Sequence, residues 1–296
     1  MYLKKTCFVI ILSAILSLAS VQSIVAVAHG AVDAAVSFVH ERETLVGLEE
    51  LVRGHNVTLL DIDDVVLTTH HYGCGTHWTR GFIKTLRSKP VTEALLQLHD
   101  MYRCYVLSTH KAVDPEGLIG LNKAAKDYMV FGFSARLYTM AEATSREVMR
   151  AGMQFSQVPF EANVLLGGVP VMHQGIIYTG GYHVQVDLPD KGEVFASLMK
   201  DGVFGRDVSK VLYVDDSLRH HVEMSKACEM LGIQCTHIHL TTIVKQIERR
   251  KISPEALEYI GNAQFKAIVA NQNPPTDEEA LEQYENLAFM NQRARE

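Results

Sequence analysis

Val57-Thr58-Leu59-Leu60-Asp61-Ile62-Asp63-Asp64-Val65-Val66-Leu67 is the stretch from which the rest of the chain can be read. The apolar run Val57 to Leu60 predicts a short buried strand. It runs straight into Asp61, Asp63 and Asp64. Carboxylates are seldom buried unless paired or bound to a metal, and three within four positions repel one another, so this strand end calls for a cation. In an extended chain residues i and i+2 point the same way. Asp61 and Asp63 are therefore expected to face one pocket, with Asp64 turned aside. An aspartate beside a cation can act as a nucleophile, and a neighbouring carboxyl can act as general acid and base.

Whole-chain features narrow the setting. The 296 residues are 47% hydrophobic and 21% charged, an ordinary globular composition. A net charge of −6 argues against a nucleic-acid partner. Lys4 and Lys5 precede the apolar run Cys7 to Ala19, and Ala26-Val27-Ala28 offers a small-x-small cleavage site, with Val21-Gln22-Ser23 an earlier one. This predicts a signal peptide over 1–28, an exported protein (periplasmic or secreted), and no membrane attachment after cleavage. Residues 29–296 are then expected to form a single domain with insertions near 68–90 and 157–190. Cys74, Cys104, Cys228 and Cys235 remain after cleavage, and four cysteines in an oxidising compartment allow three pairings. Bridges and free buried thiols both stay open, as does the oligomeric state.

Strand and helix patterns alternate along the chain. Residues 41–53 carry Leu45, Leu48, Leu51 and Val52 at helical spacing. Thr68 to Gly81 reads as a loop or small insertion. Residues 91–101 are helical, and Arg103 to Ser108 is a strand candidate. Asp114-Pro115 opens a helix as N-cap and first residue, and Tyr128 to Phe133 is a strand ending in Ser134-Ala135-Arg136. Thr144-Ser145-Arg146-Glu147 has the form of a capping box. Val164 to Val186 reads as hairpins with Gly-rich turns. Lys191 opens another helix, Val211 to Val214 is a strand ending in Asp215-Asp216, and a helix from Ser217 leads to a strand from Ile233. The expected fold is α/β: a doubly wound, Rossmann-like parallel sheet with helices on both faces, a small β-hairpin elaboration and a helical C-terminal tail.

In such sheets ligands bind beyond the carboxyl ends of the strands. There the sequence places Asp61 and Asp63, Ser134, and Asp215 with Asp216, while Lys191 supplies a cation at a helix start. Oxygen ligands of this kind suit Mg²⁺. Ser108, in Val106-Leu107-Ser108-Thr109, is a rival to Ser134, and Lys210 a rival to Lys191. His71, Cys74 and His77, spaced by three, suggest a zinc site but lack a second cysteine pair. His220 and His221 follow the last acidic pair on a helix and read as surface histidines, although His220 could approach the pocket.

Taken in this order, Asp61/Asp63, Ser134, Lys191 and Asp215/Asp216 resemble the four motifs of the haloacid dehalogenase (HAD) superfamily. The resemblance implies Asp61 as nucleophile and Asp63 as acid/base. It implies Ser134 as hydrogen-bond donor to a phosphoryl group and Lys191 as its positive partner, with Mg²⁺ held by Asp61, Asp63 and the Asp215/Asp216 pair. Val65 departs from the Thr common at that position, which leaves both aspartates in place. Phe133-Ser134-Ala135-Arg136, Gly175-Ile176-Ile177-Tyr178-Thr179, Lys191-Gly192 and the helical tail resemble, more narrowly, an exported branch named DUF2608, over roughly residues 40–290. The expectation is an exported Mg²⁺-dependent phosphatase acting on a small phosphorylated substrate held by Ser134, Arg136 and Lys191. The alternative is a HAD-fold binding or effector protein with little or no turnover.

Overall fold

The computed structural model describes residues 39–86, 89–158, 165–166, 169–180 and 189–293. The signal-peptide expectation for 1–28 lies outside the described residues. The chain forms two compact units: the described residues up to Leu67 together with Ala112–Ile243, and Thr68–Lys111 together with the described residues from Val244 onward.

In the first unit, strand β1 spans Val39–Arg42, helix α1 Leu48–Val52 and strand β2 Val57–Leu60. Strand β3 (Leu67–Thr69) leads out to helices α2 (Thr76–Leu86) and α3 (Val91–Leu107) of the second unit, and β4 (His110–Ala112) leads back. Helix α4 (Pro115–Ala124), strand β5 (Met129–Ser134) and helix α5 (Ala141–Arg150) follow. Then come β6 (Leu165–Leu166), β7 (Val169–Pro170), β8 (Met172–His173) and β9 (Ile176–Tyr178). Helix α6 (Lys191–Lys200), strand β10 (Lys210–Asp215), helix α7 (Leu218–Leu231) and strand β11 (Gln234–Leu240) complete the sheet. The C-terminal helices are α8 (Thr242–Arg250), α9 (Pro254–Val269) and α10 (Asp277–Arg293).

The sheet has the order β1-β11-β10-β2-β5-β9-β8. All its pairings are parallel except β8 with β9. Alternate residues of each central strand enter different apolar clusters. Leu60, Val130, Leu212 and Val214 pack with Leu48, Val52, Leu118, Leu121 and Val148 from α1, α4 and α5. Leu59, Phe131, Phe133, Val211 and Tyr213 pack with Val194, Phe195, Leu198, Met224 and Ala227 from α6 and α7. Both faces are covered, which is why these strands read as continuous apolar runs. The expected α/β sheet with helices on both faces is present. The hairpins expected in 157–190 appear as β6–β7 and β8–β9, with the rest of that stretch outside the described residues.

Several local expectations differ. Residues 103–108 lie in and just after α3 rather than in a strand. Residues 41–53 hold the end of β1 and only a five-residue helix, although Leu45 is fully buried. Thr144 lies inside α5, because a 3₁₀ turn at Tyr138–Met140 feeds a helix that has already begun at Ala141. Thr76 to Gly81, read as loop, is the start of α2.

The second unit packs α2, α3 and α9 around Trp78, Phe82 and Phe265, whose ring centroids lie 4.7–5.2 Å apart. Cys74 and Cys104 are disulfide-bonded with Cα atoms 5.9 Å apart, while Cys228 and Cys235 are free. The bond removes Cys74 as a zinc ligand in the His71/Cys74/His77 pattern.

Candidate active site

β10, β2 and β5 are neighbours and parallel, so their carboxyl ends open on one edge. Asp61 follows β2, Ser134 ends β5 and Asp215 ends β10. Chain order runs from β2 to β5 on one side, while β10 lies on the other, so this is a topological switch point, where open α/β sheets bind ligands. Asp64 adopts a left-handed conformation (φ 58°), tolerated by Asp better than by most residues. It breaks the extended alternation immediately after Asp63.

Lys191 is the first residue of α6. Asp190 caps that helix by accepting from the Glu193 amide at 2.8 Å, and the Glu193 carboxylate accepts from the Asp190 amide at 3.0 Å. Gly192 lets the helix lie close to α7: a Cβ there would meet the Glu223 carbonyl at 2.3 Å. The Lys191 side chain, 1% exposed, reaches 2.8 Å from Asp61 Oδ1 and 2.7 Å from Asp215 Oδ2. Burial works against its charge, but Asp215 and Asp61 outweigh it and hold its pKa above the usual lysine range. Asp215 is buried too; Lys191 first, then His220, outweigh that burial and keep its carboxyl well below the ordinary value. It also accepts from the Ser217 amide at 2.8 Å and from the Tyr213 hydroxyl. Asp61 differs. Its pKa is pushed up to about 6 by burial, with Asp215 and Asp63 adding to the rise against the pull of Lys191. One ammonium shared between two carboxylates does not hold both down.

Arg136, buried on the loop after β5, forms a bidentate pair with Asp63: Nη2 to Oδ1 at 2.9 Å and Nε to Oδ2 at 3.1 Å. Its Nη1 donates to Thr144 Oγ1 at 2.8 Å, and its amide donates to Ser134 Oγ at 3.1 Å. Ser134 is fully buried. His220, in the first turn of α7, has Nδ1 3.2 Å from both carboxylate oxygens of Asp215. Behind the strand end, His221 Nε2 donates to the Asp215 carbonyl at 3.2 Å, so its Nδ1 accepts from His237 Nδ1 at 3.1 Å. Burial pushes both imidazoles down to about 4, which keeps them neutral. His239 Nε2 donates to the Asp216 carbonyl at 3.0 Å.

Asp61, Lys191 and Asp215 are thus joined by direct contacts. Asp63, Ser134 and Arg136 form an adjoining set, and Asp216 is buried beside Asp215. The rivals fall elsewhere. Ser108 closes a helix of the second unit and donates to the Cys104 carbonyl at 2.7 Å. Lys210 is exposed at the start of β10, the opposite end from Asp215. Sequence reasoning missed the clasp of Arg136 on Asp63 and the contacts of Tyr213 and Ser217 to Asp215. The alternation in Tyr213-Val214-Asp215 carried the one available signal, since it puts Tyr213 and Asp215 on one face.

A family model described as "Protein of unknown function (DUF2608)" matches residues 48–273. The chain belongs to this family. All the site residues named above lie inside the DUF2608 match. No curated protein and no solved structure matches the chain.

The donor set fits a divalent cation. Asp61 and Asp215 share the Lys191 ammonium and Asp63 pairs with Arg136, while Asp61, Asp215 and His220 bring one donor atom each within 4.8 Å of one another. Three carboxylates thus meet two fixed cations in these pairs, with Asp216 buried beside Asp215. The oxygen donors suit a hard cation such as Mg²⁺.

Proposed function

We propose that this chain is an exported Mg²⁺-dependent phosphatase of the HAD type, acting on a small phosphorylated substrate through an aspartyl-phosphate at Asp61. The observation that carries the reading is the Lys191 ammonium set between Asp61 and Asp215 at the carboxyl ends of adjacent parallel strands. One Asp61 oxygen attacks phosphorus as the bond to the leaving oxygen breaks, and Asp63 delivers a proton to that oxygen. Water then attacks the phosphorus with Asp63 as base, releasing phosphate and restoring the Asp61 carboxylate. Lys191 and the Ser134 hydroxyl donate to the phosphoryl oxygens as their charge grows. Arg136 gives up one of its contacts on Asp63 in the step where Asp63 carries the proton, and that N–H turns to the substrate. Asp61, the Asp63 carbonyl, Asp215 and Asp216 would hold Mg²⁺, which when bound neutralises charge on the phosphoryl group.

Purified mature protein should hydrolyse a generic aryl phosphate with Mg²⁺ and lose that activity in EDTA. Asp61→Asn should abolish it, because an amide is a far poorer nucleophile; wild-type kcat in that variant refutes the mechanism. Export is tested separately. Protein recovered outside the cytoplasm should begin near residue 24 or 29, and an intact Met1 form confined to the cytosol speaks against it. The Cys74–Cys104 bond supports an oxidising compartment.

The bidentate Arg136–Asp63 pair favours a second reading, a HAD-fold binding or effector protein in which Asp63 stays clasped. A metal-loaded protein with no turnover across a phosphometabolite screen would select it.

A further inference from the structure

We propose that His220 is itself a ligand of the site's cation and biases the site toward a first-row transition dication over Mg²⁺. The inference rests on the metal-dependent reading above. Asp61, Asp215 and His220 each offer a donor atom, and the three atoms lie within 4.8 Å of one another. His220 Nδ1 stands 3.2 Å from either oxygen of Asp215. Two donors bound at about 2.1 Å to one metal, roughly 90–109° apart, stand about 3.0–3.4 Å from each other, so this pair is already at ligand spacing.

The backbone fixes that spacing. The Ser217 amide holds Asp215 Oδ1 at 2.8 Å, and the Ser217 carbonyl accepts from the His220 amide at 3.0 Å, so the first turn of α7 sets the imidazole over the carboxylate. The ring is 15% exposed, leaving Nε2 able to carry the proton when Nδ1 binds a metal. Imidazole nitrogen suits Zn²⁺, Fe²⁺ and similar ions, whereas Mg²⁺ prefers oxygen and retained water. A site with only carboxylates and carbonyls has no such bias. The competing role for His220 is donation from Nδ1–H to Asp215, which orients the carboxylate and touches no metal.

Metal-stripped full-length mature protein loaded with Mn²⁺ distinguishes the two by pulsed electron paramagnetic resonance. Ligation predicts nitrogen coupling from a directly bound imidazole, lost in His220→Ala and His220→Gln. By calorimetry, Mn²⁺ and Zn²⁺ should bind these variants ten- to a hundredfold more weakly, and Mg²⁺ less than threefold more weakly. Nitrogen coupling absent from wild type, or a parallel loss for all three ions, overturns the inference. If that happens while wild-type turnover still depends on Mg²⁺ and Asp61, the ligand assignment alone falls. If wild type binds none of the three ions, the phosphatase reading falls with it.

Discussion

Ser134 and Ser108 separate most cleanly at the level of single side chains. Ser134 ends a central strand, is fully buried, and sits one hydrogen bond from the Arg136 amide. Ser108 spends its hydroxyl on a carbonyl one helical turn back. A charge-assisted hydrogen bond made mainly in the transition state is worth about 1.5–3 kcal/mol, or roughly ten- to a hundredfold in kcat. Ser134→Ala should lose that much rate with a near-normal melting temperature. Ser108→Ala should change the rate by less than about threefold. Steady-state kinetics on the two variants decides it, and a reversed result would move the phosphoryl donor to Ser108. The strand-end aspartates and Lys191 were legible because each follows from a local pattern: an apolar run ending in acid, or a lysine opening a helix of inward apolar residues. The Arg136–Asp63 pair joins residues 73 apart in sequence, and no local period encodes that contact.

Among the elements, helix α4 shows how one capping residue ties two segments together. Asp114 accepts from the Gly117 amide at 3.0 Å, from the Leu45 amide at 2.8 Å and from the Thr44 hydroxyl at 2.5 Å. Burial works to raise its pKa, but these bonds outweigh it and leave the carboxyl below its ordinary value of 3.8. A carboxyl lowered on folding stabilises fully above its unfolded pKa and loses that stabilisation as pH falls through the folded value. Asp114→Ala should cost about 1–2 kcal/mol near neutrality, read by urea denaturation. The difference from wild type should shrink in acid below about pH 3.8. The Asp114-Pro115 start was readable because N-cap and first-turn proline are chemical requirements of the helix end. Residues 103–108 were misread because Tyr105-Val106-Leu107 has strand-like composition; in the structure this run is the last turn of a 17-residue helix. Propensity over six residues yields to the length and packing of the whole helix.

At the scale of the molecule, the two units have separate apolar cores. The sheet is flanked by two large clusters, whereas Cys74, Cys104 and Ile268 with Phe265 form a cluster of their own in the second unit. The disulfide closes a sequence separation of 30. Chain entropy alone assigns such a loop about 3–4 kcal/mol, and the second unit should carry the loss. Under dithiothreitol, or in Cys74→Ala/Cys104→Ala, backbone amides of α3 and α9 should lose hydrogen-exchange protection while β2, β5 and β10 keep theirs. Equal loss in the sheet strands would mean that the two units unfold as one. Four cysteines named the possibility of a bridge, but only the fold selects Cys74 with Cys104.

The second unit draws on both an internal excursion, Thr68–Lys111, and the last stretch of the chain. Trp78 rests against Gly261 so closely that a Cβ there would lie 2.0 Å from the indole. A polypeptide that emerges from its N-terminus onward makes Trp78 and Phe82 long before Gly261 and Phe265. At ~5–20 residues per second, ribosomal synthesis separates the two aromatic halves by roughly 10–35 s. Both cysteines of the bridge lie in the early arm, so the covalent link can close while the aromatic surface still waits for its seat. A nascent chain stopped at residue 243 would therefore hold every strand of the sheet, yet present its tryptophan helix to chaperones rather than to α9.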